Sequence, residues 1–236
     1  MKINKRNLWL DYVPMAVTAG LIIYFAVVKN QSLLRTLPTL ITLAVQILLA
    51  RANRAAFLLG GANSVLYGLS YASNHLYFES FFAIAISAPM QVYSYFNWKK
   101  NSSGGKPKIR QLSLRDKALV ALATTALWLV CLKYIGCLIS GSHIVLDSLV
   151  FSLGLVTTLL SAFRFVDAQF VSLLSSFISL SLWIIMAIEN PENANYVVIS
   201  VYNLFRGIEI TLSWLKLCPD GRLIKSKKLI KEGDSK

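Results

Sequence analysis

Apolar residues run through this chain in windows of about twenty, separated by short polar breaks, rather than in the alternation of a half-buried soluble element. Eight such windows stand out: Leu8 to Val28, Leu33 to Ala50, Ala55 to Tyr71, Tyr77 to Trp98, Ala118 to Leu138, Ile144 to Phe163, Phe170 to Ile188 and Tyr196 to Leu217. Each is long enough for a helix to cross the hydrocarbon of a bilayer, the only open-ended element whose backbone is satisfied there. The pattern predicts an all-α polytopic membrane protein of about eight transmembrane helices. Breaks as short as Arg51-Ala52-Asn53-Arg54 predict tight hairpins between antiparallel neighbours. The first window follows Lys2, Lys5 and Arg6 and ends in Val27-Val28-Lys29 without a small-x-small cleavage site, so it reads as a retained span.

Polar residues inside the windows carry the chemistry. The stretch Phe81 to Asn101 holds Pro89, Gln91, Tyr93, Ser94, Tyr95 and Asn97 before the charges begin at Lys99. An unpartnered amide in hydrocarbon costs about 2–7 kcal/mol, so Gln91 and Asn97 are expected to face other helices or a wet cavity. Tyr67, Tyr93, Tyr95, Trp98 and Trp183 offer rings, and Asn63, Asn97, Gln91 and Asn203 offer amides, the groups from which a solute site is built. The structural alternative is that such groups tie helix to helix, at about 0.6 kcal/mol each. Trp98 and Trp214, each beside a lysine at a window end, read as interfacial anchors. Arg206 and Glu209 lie three apart on one helix face and either contact the solute or lock helices together.

Charge sets the topology. Of 24 Lys and Arg, twenty fall on one side if the N-terminus is cytoplasmic, and only Lys29, Arg35 and Lys133 fall on the other. That asymmetry predicts cytoplasmic N- and C-termini. Because the net charge of +13 is confined to loops and the tail, it marks topology rather than a nucleic-acid surface. The tail lysines Lys225, Lys227, Lys228 and Lys231 read as solvated topology signals.

With 56% hydrophobic and 15% charged residues, the composition excludes an ordinary soluble domain. Cys131, Cys137 and Cys218 lack metal or redox spacing, His75 and His143 stand apart, and no HExxH, Walker loop or GxSxG occurs. No enzyme, cofactor or metal is therefore expected. The scarcity of carboxylates at membrane depth points to passive rather than ion-coupled transport.

The one long polar connection, NSSGGKPKIRQLSLRDK, divides the chain nearly in half, and the halves resemble each other in layout. LLARANRAAFLLGG at Leu48 and LLSAFRFVDAQF at Leu159 both join two windows through a short Arg-containing turn, and the following windows end at Trp98 and Trp214. Two three-helix units joined by a single crossing helix would be parallel repeats, with a solute path between them. The resulting divisions are an N-terminal helix over 1–32, a first unit over 33–98, a basic loop and linking helix over 99–143, a second unit over 144–217 and a basic tail over 218–236.

LLARANRAAFLLGGANSVLYGLSYASNHLYFES, with APMQVYSYFNWKKN after it, resembles the signature region of the PnuC family of bacterial vitamin transporters, typified by nicotinamide riboside uptake. Pro89-Met90-Gln91, Trp98-Lys99-Lys100-Asn101, Gly60 and Asn63-Ser64 carry the likeness. The resemblance implies a SWEET-like 3+1+3 arrangement plus an N-terminal helix, a homotrimer, and facilitated diffusion of an unphosphorylated vitamin or nucleoside trapped by intracellular phosphorylation. The second half departs from the pattern. It reads FRFVDAQFVSLLSSFISLSLW, with Phe170, Ser175 and Ser176, where riboside carriers tend to have a tryptophan-rich, Asn-containing helix, and Arg206 stands where an aromatic is usual. The solute stays open between nicotinamide riboside and another B vitamin or nucleoside. From a different class, a membrane binding or assembly subunit that transports nothing fits the same composition.

Overall fold

The computed structural model describes residues 5–73, 77–103, 106–134 and 143–218. The N-terminal helix is α1 (Lys5–Val28), followed by the hairpin α2 (Leu33–Ala50) and α3 (Ala55–Ser73). The next span is interrupted: α4 (Tyr77–Phe81) passes through a π-helical stretch, Phe82–Ser87, into α5 (Ala88–Lys100). The second half contains α6 (Leu114–Tyr134), α7 (Ile144–Ala162), α8 (Asp167–Glu189), a 3-10 turn over Pro191–Asn193, and α9 (Ala194–Leu217). By length and hydropathy α2, α6, α7 and α8 suffice to cross a membrane. Together with broad exposure of large apolar side chains such as Leu122, Leu129, Leu174 and Phe177, they make this a multi-pass membrane protein.

Several helix boundaries differ from the sequence reading by a few residues, and the shift at α6 has an identifiable reason. Helix α6 begins at Leu114 rather than Ala118, because Ser113 caps it: Asp116 N–H donates to Ser113 Oγ at 3.2 Å, and that hydroxyl donates to Asp116 Oδ2 at 2.7 Å. The predicted end of this span at Leu138, along with Cys137, His75 and the tail lysines, falls outside the described residues. The π-helical stretch lies just ahead of Pro89, which has no N–H and whose ring crowds the preceding turn of a regular helix.

Six helices close into a ring in the order α2, α3, α5, α7, α8, α9 and back to α2, while α1 packs outside on α9 and α2, and α6 on α7. Two like turns sit at one end of this ring. Ala52 N–H donates to Leu49 O and Asn53 N–H to Leu48 O, both at 2.9 Å; Arg164 N–H donates to Ser161 O at 3.0 Å and Phe165 N–H to Leu160 O at 2.9 Å. Ala52 and Arg164 take left-handed φ values of 48° and 64°. A helix-closing motif of this kind satisfies the last carbonyls of α2 and of α7.

The polar connection is fastened across the same end. Arg110 N–H donates to Arg164 O at 2.9 Å, Val166 N–H donates to Arg110 O at 2.8 Å, and Leu112 N–H reaches Asp167 Oδ2 at 2.7 Å. The Arg164 guanidinium donates to Lys108 O at 3.1 Å. Burial, and after it the Arg110 charge, lowers the pKa of that guanidinium. Lys117 pairs with Asp167 at 3.1 Å.

An apolar cluster fills this end: Ala50, Ala52, Phe57, Trp98, Ile109, Val166, Ile210 and Trp214. Trp98 and Trp214 are 1% and 0% exposed, which corrects the reading of them as interfacial anchors. Their rings lie 5.0 Å apart, and each indole crosses to the other half: Trp98 Nε1 donates to Ser161 O and Trp214 Nε1 to Leu49 O, both at 3.0 Å. The left-handed turn beneath them tolerates little. Ala52→Val places a β-branched side chain at positive φ and is expected to lower stability in detergent thermal melts by about 1–3 kcal/mol. Ala52→Gly trades a buried methyl for backbone freedom and stays within about 1 kcal/mol of the parent.

Candidate solute-binding site

The ring encloses a cavity of about 140 Å³ to which all six helices contribute: Gln46 from α2, Phe57 from α3, Gln91 and Ser94 from α5, Thr157, Thr158 and Ser161 from α7, Gln169, Ser172 and Ser176 from α8, and Asn203 from α9. A second cavity of about 250 Å³ shares Thr157, Thr158, Ser172, Ser176 and Asn203 with the first and adds Ser175, Ser179 and Ser200. The two adjoin across these shared residues, and apolar side chains including Leu49, Phe57 and Ile210 complete the first at the tryptophan end. Among the described residues lining either cavity, none is ionisable. Neutral amides and hydroxyls can exchange hydrogen bonds with a hydrated solute but cannot neutralise a phosphate.

Local sequence explains how Gln91 reaches this space. Gly60 on α3 lacks the side chain that would block it, since a Cβ there would stand 2.1 Å from Gln91 Oε1. The amide donates to Ser64 Oγ at 2.7 Å and to Ser87 Oγ at 3.2 Å. Across the ring, Gln46 Nε2 donates to Asn203 Oδ1 at 2.9 Å and joins α2 to α9.

Of the residues singled out from sequence, Gln91 and Asn203 line the chamber. Asn63 instead braces α3 against α2, donating to Pro38 O at 3.1 Å and Thr42 Oγ1 at 3.0 Å, and Tyr67 joins that network through Thr42 at 3.1 Å. Asn97 closes the end of α7, donating to Ala162 O at 2.7 Å. Tyr95 lies under Arg54, whose guanidinium carbon is 5.6 Å from the ring centre. Trp183 stacks on Tyr196 at 4.2 Å, lining a separate cavity of about 220 Å³ with Tyr71 and Asn190 at the end remote from the tryptophan pair. Arg206 is fully buried and ion-paired with Glu209, and neither lines the chamber.

Gln46, Gln169, Ser172 and the threonines of α7 were not foreseen. A signal for part of this set exists in the sequence: Gln169, Ser172 and Ser176 recur at intervals of three and four and so share one face of α8.

Residues 32–216 match the sequence model of a family described as nicotinamide mononucleotide transporter. The chain belongs to this family. It is a membrane transporter by that membership, and the ring of helices is the fold such a transporter uses. A solved structure, "Crystal structure of the Vitamin B3 transporter PnuC", is similar with a TM-score of 0.75 at 18% identity, covering 88% of this chain and 91% of that one. Among curated proteins none matches.

The closeness of Gly60 to Gln91 generates a test. Gly60→Ala displaces the flexible end of Gln91 rather than any backbone, so the protein is expected to insert and purify normally while solute affinity, read by equilibrium binding, falls about five- to tenfold for the lost amide contacts.

Proposed function

We propose that the protein carries an unphosphorylated vitamin-like or nucleoside-like solute across the bacterial inner membrane by facilitated diffusion. The observation that carries this reading is the six-helix chamber, walled by amides and hydroxyls with no ionisable side chain among its described lining residues. A phosphate brought into that space would lose its hydration without gaining a cation, so the unphosphorylated form is the cargo and phosphorylation after entry would trap it. The family's description names a mononucleotide and the similar structure a vitamin B3 transporter, and both fit a nicotinamide-bearing or related ring compound. Nicotinamide riboside and other B vitamins or nucleosides are the cargo class.

The mechanism we infer is alternating access between two parallel three-helix units, α2–α3–α4/α5 and α7–α8–α9, linked by α6, with α1 outside, in a 3+1+3 arrangement of eight spans. The circular helix order supports it, as do the paired left-handed turns at Ala52 and Arg164 and the crossed indole contacts. Spans such as α3 and α9 gain polar residues because they face the chamber and each other, which lowers their hydropathy without removing them from the membrane. The tryptophan end is cytoplasmic, since Arg51, Arg54, Lys99, Lys100 and Arg164 gather there. A homotrimer in the inner membrane, with both termini cytoplasmic, is the assembly the family likeness implies.

Purified protein in liposomes is expected to equilibrate labelled nicotinamide riboside, or another unphosphorylated B vitamin or nucleoside, with saturation and counterflow. The 5′-phosphate of the same solute should not compete. Binding without flux would identify a non-transporting subunit instead. In the same assay Gln91→Ala is expected to weaken solute affinity about fivefold or more, the worth of one or two hydrogen bonds.

A further inference from the structure

We propose that Ile109, on the basic connection between the two halves, forms the cytoplasmic gate of the chamber together with Trp98 and Trp214. The inference rests on the carrier reading and adds the residues that must part for release inward.

The connection is usually the part of such a chain that only joins spans, yet here it supplies a core residue. Ile109 is 1% exposed and packs in one cluster with Trp98, Trp214, Phe57 and Ile210. Phe57 and Ile210 belong to that cluster and also line the chamber, so the plug and the chamber floor share atoms. The plug takes its members from both halves: Ala50, Phe57 and Trp98 from the first, Val166, Ile210 and Trp214 from the second, with Ile109 between them in sequence. Each indole donates to a carbonyl at the end of the other half's first helix, so the halves cannot separate at this end without breaking both bonds.

Ile109 is held in place from either side. Arg110 exchanges backbone hydrogen bonds with Arg164 and Val166, and the Arg164 side chain takes the carbonyl of Lys108. Arg164 is therefore a positioning residue: its left-handed backbone turns α7 into α8 while its guanidinium fastens the strap. Lys108 and Arg110 on either side of Ile109 are exposed while Pro107 and Ile109 are buried, so the segment alternates apolar residues inward with charge outward. Lifting it uncovers the tryptophan pair without unfolding a membrane helix.

The test uses the full chain with Cys131, Cys137 and Cys218 replaced by alanine and Ser176→Cys as a reporter inside the chamber. A membrane-impermeant maleimide applied to inside-out vesicles reads access from the cytoplasmic face. Ile109→Ala is expected to raise the labelling rate at least about tenfold, from the loss of a buried aliphatic side chain, and Trp98→Phe or Trp214→Phe about fivefold, from one hydrogen bond each. Arg164→Ala should raise it as well, and Arg164→Lys, which retains a donor, less. Unchanged labelling in the Ile109 and both tryptophan variants would overturn the gate, and a rise in the tryptophan variants alone would remove Ile109 from it. Ile109 lies outside every membrane helix, so its variant carries the test should the tryptophan variants misfold. Labelling is read without solute flux, so absence of uptake by the parent would count against the carrier reading and leave the gate result standing.

Discussion

A helix that ends inside packed apolar surroundings leaves carbonyls that water cannot reach, and each must find a donor within the protein. Both α2 and α7 end this way, beneath the cluster of Trp98, Trp214, Ile109 and Val166. Their left-handed turns satisfy part of the need from within the chain. The indoles supply a further donor to Leu49 O and Ser161 O, and each comes from the opposite half. One local requirement of the backbone thus joins α9 to α2 and α5 to α7, the two contacts that turn two helical hairpins with their third helices into a closed ring.

Closure decides what polar side chains do. A residue facing the inside of the ring is protected from lipid, so Gln46, Gln91, Gln169 and Asn203 are tolerated there, and serine and threonine line much of the second half. The halves match in layout but not in chemistry. Phe57 follows the Ala52 turn by five positions and Gln169 follows the Arg164 turn by five, so the same place in the ring is an apolar floor on one side and an amide on the other. The lining sets hydroxyls from α5, α7 and α8 beside amides from α2, α5, α8 and α9. In the carrier we propose, that inequality between the halves, rather than their shared architecture, sets which solutes are discriminated.

The aromatic residues divide between two ends. At the end of Trp98 and Trp214 they are buried and locked by hydrogen bonds, and at the other end Trp183 stacks on Tyr196, whose hydroxyl lies 3.0 Å from Ser70 Oγ and bridges α9 to α3. The Trp183 end also carries the Arg35–Glu192 pair and the contact from Gln31 Nε2 to Glu192 O at 2.6 Å, which tie α2 and its lead-in to the turn before α9. Cross-half contacts thus occur at both ends, with the chamber between them.

Apolar window length and the placement of lysine and arginine were sufficient, in the sequence, for a helical membrane protein. Leu33–Ala50 is recovered residue for residue and Ile144–Ala162 within one, because hydrocarbon thickness fixes how long an apolar run must be. Gln91 was legible because an amide two positions after a proline in an apolar run has few structural uses. Asn63, Asn97 and Arg206 have the same polarity yet turn to neighbouring helices, and Trp98 and Trp214 look like membrane anchors yet are buried. Helix rotation and the partner across the ring decide such cases, and both are set by contacts between residues far apart in the chain. Sequence determined which residues would be costly to leave facing lipid; only the closed ring decided which of them found a protein partner and which were left lining the chamber.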